Sequence, residues 1–73
     1  MNKRLTAIIQ REGDGFVALC PELDVVSQGA TIESARANLQ EAVELYFECA
    51  SPEEVEKRTG GEIFITQFEV SVG

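Results

Sequence analysis

Apolar and polar positions fall into two periods along the chain. From Lys3 to Gln10, Leu5, Ala7 and Ile9 lie on one face of an extended segment and Thr6, Ile8 and Gln10 on the other, the two-residue repeat of a strand. Arg11-Glu12-Gly13-Asp14-Gly15 interrupts that repeat. Glycine and aspartate tolerate positive φ, so these residues predict a hairpin loop. Phe16 to Cys20 reads as the return strand, with Phe16, Ala18 and Cys20 on one face. Val17 and Leu19 on the other face are apolar too, so both faces are expected to be partly covered. Pro21 has no amide donor and ends the pairing. Glu22-Leu23-Asp24 is then a corner, and Val25 to Gln28 a third short strand stopped by Gly29.

After Gly29 the period changes. Ile32, Ala35, Leu39, Ala42, Val43 and Tyr46 recur at spacings of three and four, a helix that runs to about Glu48 or Ala50. Thr31 is its expected N-cap. The glutamate of a full capping box is missing, because Ser34 holds that place. Arg36, Gln40, Glu41, Glu44 and Glu48 form the opposite, polar face. Ser51-Pro52-Glu53-Glu54 reads as a second helix start of one or two turns, closed by Gly60-Gly61. From Glu62 to Val72, Phe64, Thr66, Phe68, Val70 and Val72 alternate with Ile65, Gln67, Glu69 and Ser71, which predicts a fourth strand. Its span of about 36 Å exceeds that of an ordinary strand. A strand that outruns its neighbours leaves unpaired amides, so part of it is expected to meet a second subunit. The predicted architecture is a single α+β domain over residues 1–73, a two-layer β-β-β-α-β arrangement with an antiparallel sheet and one main helix on one face. Ile8, Val17, Leu19 and Ile65 leave the other face apolar enough to be partly buried in an oligomer or against a partner.

Composition narrows the chemistry. At 73 residues the chain can bury only a small core. Thirteen acids against six bases give a net charge of −7, which disfavours direct binding of nucleic acid. Glu41, Glu44, Glu48, Glu53, Glu54 and Glu56 follow one another with no Lys or Arg between them, a face suited to steering a basic partner. The chain has no histidine, so Ser-His-Asp and Cys-His arrangements are excluded. Cys20 and Cys49 make no Cys-x-x-Cys pair and are expected to be reduced, at least partly buried thiols, with no zinc site. Neither has an activating neighbour: Cys20 precedes Pro21 and Glu22, and Cys49 sits at a helix C-terminus. The acids lie on a helix face and in loops instead of converging from strands, as a two-metal nuclease requires. The glycines fit turn roles and build no phosphate cradle. No catalytic, cofactor or metal residues are therefore expected. Met1-Asn2-Lys3-Arg4 leads into no apolar signal segment, and no stretch approaches the length of a membrane span, so the expected location is cytoplasmic.

One continuous stretch, Asp14-Gly15-Phe16-Val17-Ala18-Leu19-Cys20-Pro21-Glu22-Leu23-Asp24-Val25-Val26-Ser27-Gln28-Gly29-Ala30-Thr31-Ile32-Glu33-Ser34-Ala35, together with Leu39, Glu41-Ala42-Val43 and Leu45-Tyr46, resembles the HicB-type antitoxin family. The shared pattern is a strand, a Pro-acid-Leu corner, a Ser-Gln-Gly-x-Thr turn and an Ala/Leu/Glu-rich helix ending near tyrosine. The resemblance implies a partial ribonuclease-H-like fold without catalytic acids. It also implies a homo-oligomer, dimer or tetramer, whose partner is a small basic HicA-type ribonuclease toxin covered on its RNA-binding and active surface. The family's C-terminal DNA-binding module has no counterpart before Gly73, so autoregulation of transcription is not expected. Glu41, Glu44 and Glu48 on the helix, with Asp14, Glu22 and Asp24 in loops, are the expected partner-binding residues. The alternative is a solitary oligomeric accessory domain without a cognate toxin.

Overall fold

The structure, a computed structural model, describes residues 3–73. Its elements run β1 (Ile8–Glu12), β2 (Gly15–Cys20), β3 (Val25–Gly29), α1 (Ile32–Cys49) and α2 (Pro52–Thr59). The three strands form one antiparallel sheet in the order β1-β2-β3, with α1 packed on one face, an α+β arrangement.

β1 starts at Ile8, later than the alternation from Lys3 predicts, and the register explains why. Ile8 pairs with Leu19, so two residues upstream Thr6 falls opposite Pro21, which has no N–H to give. The ladder stops there and a side chain takes over: the Thr6 amide donates to both oxygens of the Glu22 carboxylate at 3.1 and 3.0 Å. The turn between β1 and β2 places Gly13 at φ 59°. Across this hairpin the Arg11 guanidinium lies 4.7 Å from the centre of the Phe16 ring, its cross-strand neighbour. At the other end of β2 each corner residue has a separate task. Pro21 ends the pairing, Glu22 binds Thr6, Leu23 is buried, and Asp24 takes the left-handed conformation at φ 57° that aspartate accepts more readily than most residues.

α1 begins with a reciprocal cap. The Ser34 amide donates to the Thr31 hydroxyl at 3.0 Å, and the Thr31 amide donates to the Ser34 hydroxyl at 2.9 Å. Ser34 thus completes the capping box that the missing glutamate seemed to rule out, because its hydroxyl reaches the same amide. Ser51 caps α2 by accepting from the Glu54 amide at 3.2 Å, and Pro52 occupies the first turn. The core is Ala18, Cys20, Leu23, Ala35, Leu39 and Val43, flanked by Leu5, Ile9, Phe16, Val25, Tyr46 and Phe47. Most belong to the predicted inward faces of the first two strands and of the helix; Leu23, Val25 and Phe47 join them, and Ala7 is exposed. One residue of the predicted stripe departs from the expectation: Ile32 is exposed, as is Leu45 outside it.

The predicted fourth strand is not part of the sheet. Residues 62–73 are extended and exposed, with no strand assigned. A strand exists only when another chain segment supplies its hydrogen bonds, and within one copy none lies alongside. Cys49 also departs from expectation: it is exposed, while Cys20 is buried, and both are free thiols.

Leu39 is 4 % exposed, at the centre of the packing between α1 and the sheet. Leu39→Ala is expected to destabilise the fold by about 2–5 kcal/mol in urea titration followed by circular dichroism. A loss below about 0.5 kcal/mol would show that α1 does not seat on this residue.

Candidate binding groove and acidic face

The residues predicted to meet a partner do not form one patch. Asp14 sits in the turn between β1 and β2, while Glu22 and Asp24 sit in the corner between β2 and β3. These turns lie at opposite ends of β2, roughly 20 Å apart at 3.3 Å per residue. Glu41, Glu44 and Glu48 are exposed on α1. At 100° per residue they fall within about 60° of one another, directly away from the side carrying Ala35, Leu39, Val43 and Tyr46. Among the described residues none of the three is in an ion pair; the two pairs present are Lys3–Glu56 and Glu54–Arg58, each at 3.9 Å. Gln40 donates to Glu44 at 3.5 Å, a weak contact along the helix.

Glu22 has a different role from the one expected of a contact residue. Besides the Thr6 amide, its carboxylate accepts from the Thr6 hydroxyl at 2.7 Å and from the Cys20 thiol at 3.5 Å. Partial burial pushes its pKa up, but the hydrogen bonds from Thr6, Cys20 and the corner backbone outweigh this and hold the carboxyl below the ordinary glutamate value. Glu22 therefore fastens residues 3–7 to the corner. The same corner holds α2, since the Arg58 guanidinium donates to the Leu23 carbonyl at 3.4 Å. Burial raises the Cys20 pKa, and the Glu22 carboxylate adds to the rise, so the thiol stays protonated and is a poor nucleophile.

Fastening residues 3–7 to the corner opens a feature that the sequence did not disclose. Between this segment and one flank of α1 runs an open groove of about 1120 Å³. Leu5, Leu39, Val43 and Phe47 form its apolar floor, and Lys3, Arg4 and Arg36 line it beside Glu44 and Glu56. Arg36, Gln40 and Glu44, read from the sequence as part of the solvent face, are the wall of this groove. The helical period puts Arg36 between Val43 and Phe47 at the edge of the buried stripe and turns Gln40 and Glu44 progressively away from it, but it cannot show that a second segment stands opposite.

The sheet face away from α1 carries an apolar row, Ile8-Leu19-Val26, aligned by the strand register. Among the described residues no group of three or more acids or cysteines is placed to hold a metal ion. No helix among them is long and apolar enough to cross a membrane.

The chain is 44% identical over 50 residues to UPF0150 protein ssl0738 of Synechocystis, a match that spans 66% of this chain and 69% of that protein. No family model matches the chain. No solved structure matches it either.

The state of Glu22 sets a pH dependence. A carboxyl whose pKa is lower in the folded than in the unfolded chain contributes stability above the unfolded value and loses it as pH falls through the folded one. Thr6→Val removes the hydroxyl that binds Glu22. It is expected to move the acid-unfolding midpoint to higher pH, read by circular dichroism between about pH 6 and 2, within which an ordinary glutamate titrates. An unchanged midpoint would separate Glu22 from the stability of the corner.

Proposed function

Taking as premise that the chain belongs to the UPF0150 family, we propose that it is a non-catalytic antitoxin-like binding protein that neutralises a small basic HicA-type ribonuclease by covering its RNA-binding surface. The observation that carries this reading is the outer face of α1. Glu41, Glu44 and Glu48 stand exposed on the side away from the sheet, and none of them is in an ion pair among the described residues. A ribonuclease holds RNA with positive charge, and a rigid row of carboxylates can occupy that surface in place of phosphates. The resemblance of the Asp14–Ala35 stretch to HicB-type antitoxins points to the same class of partner. Asp24, at the corner, is a candidate for the edge of the contact. Asp14, at the far end of the sheet, reaches a partner only if the interface spans the domain.

The groove and the exposed C-terminal segment favour a second reading, a homo-oligomeric accessory domain whose surfaces serve self-assembly. The two readings share Glu44, at the rim of the groove, but differ at Glu41 and Glu48, which line no part of it, so they are separable by experiment.

Co-expression with a HicA-type toxin from the native host should rescue growth, and the complex should co-purify. Replacing Glu41, Glu44 and Glu48 together by glutamine is expected to slow association by about tenfold or more at low salt, with the difference shrinking at high salt. Folding stability should change by no more than about 0.5 kcal/mol per site, because these side chains are exposed. A toxin that binds the triple variant as fast as the wild type, or no small basic protein recovered from the host, would overturn the proposal.

A further inference from the structure

We propose that two copies of the chain exchange their C-terminal segments, residues 62–72 of each copy lying in the groove of the other and adding a fourth strand beside residues 3–7 and β1. This inference goes beyond the toxin-binding reading and does not rest on it.

The first argument is the amount of surface left bare. A compact protein of 8.0 kDa exposes roughly 4,500 Å². This chain exposes 6127 Å². The excess, roughly 1,600 Å² per copy, matches what each partner of a large, obligate dimer buries. The second argument is where that surface lies. Phe64 is 84 %, Phe68 83 % and Val72 90 % exposed, on a segment whose alternation is that of a half-buried strand. Such a segment in water is an unpaired edge with an apolar face, a combination that folded chains cover.

The groove has the complementary properties. It is open, with Leu5, Leu39, Val43 and Phe47 on its floor. Among the described residues β1 pairs with β2 alone, which leaves its outer side as an edge for an incoming strand. Lys3, Arg4 and Arg36 line the groove, and Glu62 and Glu69 are the charged residues of the tail.

The geometry selects a second copy over the chain's own tail. The radius of gyration is 14.3 Å, against about 11 Å for a compact chain of this length. The molecule measures 48 × 28 × 16 Å, and every residue from Gly60 to Gly73 is exposed. A foreign peptide could fill the groove but would leave the tail bare. Exchange about a two-fold axis covers both tails and fills both grooves with one operation. The outer face of α1 with Glu41 and Glu48 stays open in such a dimer.

The test uses the full chain. Light scattering at about 10–100 µM should give twice the 8.0 kDa chain mass. Phe64→Asp with Phe68→Asp should weaken dimerisation at least 100-fold while leaving the helical circular dichroism intact, since neither residue touches the core. In a mixture of isotope-labelled and unlabelled wild-type protein, isotope-filtered NMR should show contacts between the Phe64 and Phe68 rings of one copy and the Leu5, Leu39 or Val43 methyls of the other. A wild-type monomer overturns the exchange. So does a dimer that the double aspartate variant retains, or one in which tail-to-groove contacts occur only within a single copy. The toxin-binding proposal survives each of these results, because Glu41 and Glu48, through which its association is read, lie outside the groove.

Discussion

The close seating of α1 on the sheet is the constraint from which the rest of the structure follows. It is achieved with small side chains. Ala18 and Ala35 are fully buried, and Gly29 has no room for a methyl group: a Cβ there would lie 2.4 Å from the Ala35 amide nitrogen and from the Ser34 hydroxyl. The helix N-terminus is therefore drawn directly against the end of β3. Asn38 adds a side-chain donor to the Gln28 carbonyl at 2.8 Å, tying the second turn of α1 to the same strand. Because the helix is so near, six mostly small residues suffice to close the core. The same closeness limits how much apolar area one copy can bury, which leaves a domain of this size with little stability in reserve.

The corner between β2 and β3 turns this packing into a surface with distinct parts. Leu23 plugs the core from one end, Glu22 fastens residues 3–7, and the Leu23 carbonyl receives Arg58 from α2. Four consecutive residues thus connect the N-terminal segment, the sheet and the second helix. The groove exists because the N-terminal segment is fastened at Thr6 instead of being hydrogen-bonded along its length. Protonation of Glu22 would loosen that fastening, so the groove and the corner share one dependence on pH.

Two interaction surfaces emerge, and their physics differ. The outer face of α1 is charged and, among the described residues, makes no ion pair at Glu41, Glu44 or Glu48, so it suits rapid encounter with a basic partner and is sensitive to salt. The groove and the tail are largely apolar and present hydrogen-bonding backbone, suited to permanent association with a strand. The lowered pKa of Glu22 and the raised pKa of Cys20 arise inside the corner, so they report on structure and give no support to catalysis.

Much of this was legible in the sequence. The two-residue period gave β2 with its inward face of Phe16, Ala18 and Cys20; the glycine-aspartate loop gave the hairpin; Pro21 gave the end of pairing; and the spacing of Ala35, Leu39 and Val43 gave the buried stripe of α1. These features depend on local stereochemistry and on which side chains avoid water, and both are properties of short segments. The acidic row of Glu41, Glu44 and Glu48 was legible for the same reason. Only the tertiary structure decided what each segment meets. It gave Glu22 a structural role in binding Thr6, set Asp14 and Asp24 at opposite ends of the sheet, and placed Arg36 and Glu44 in the wall of a groove. It also left residues 62–73 without a strand to pair with. Alternation along a segment records that one face seeks cover, but the cover itself comes from residues far away in sequence or, for this tail, from beyond the single chain.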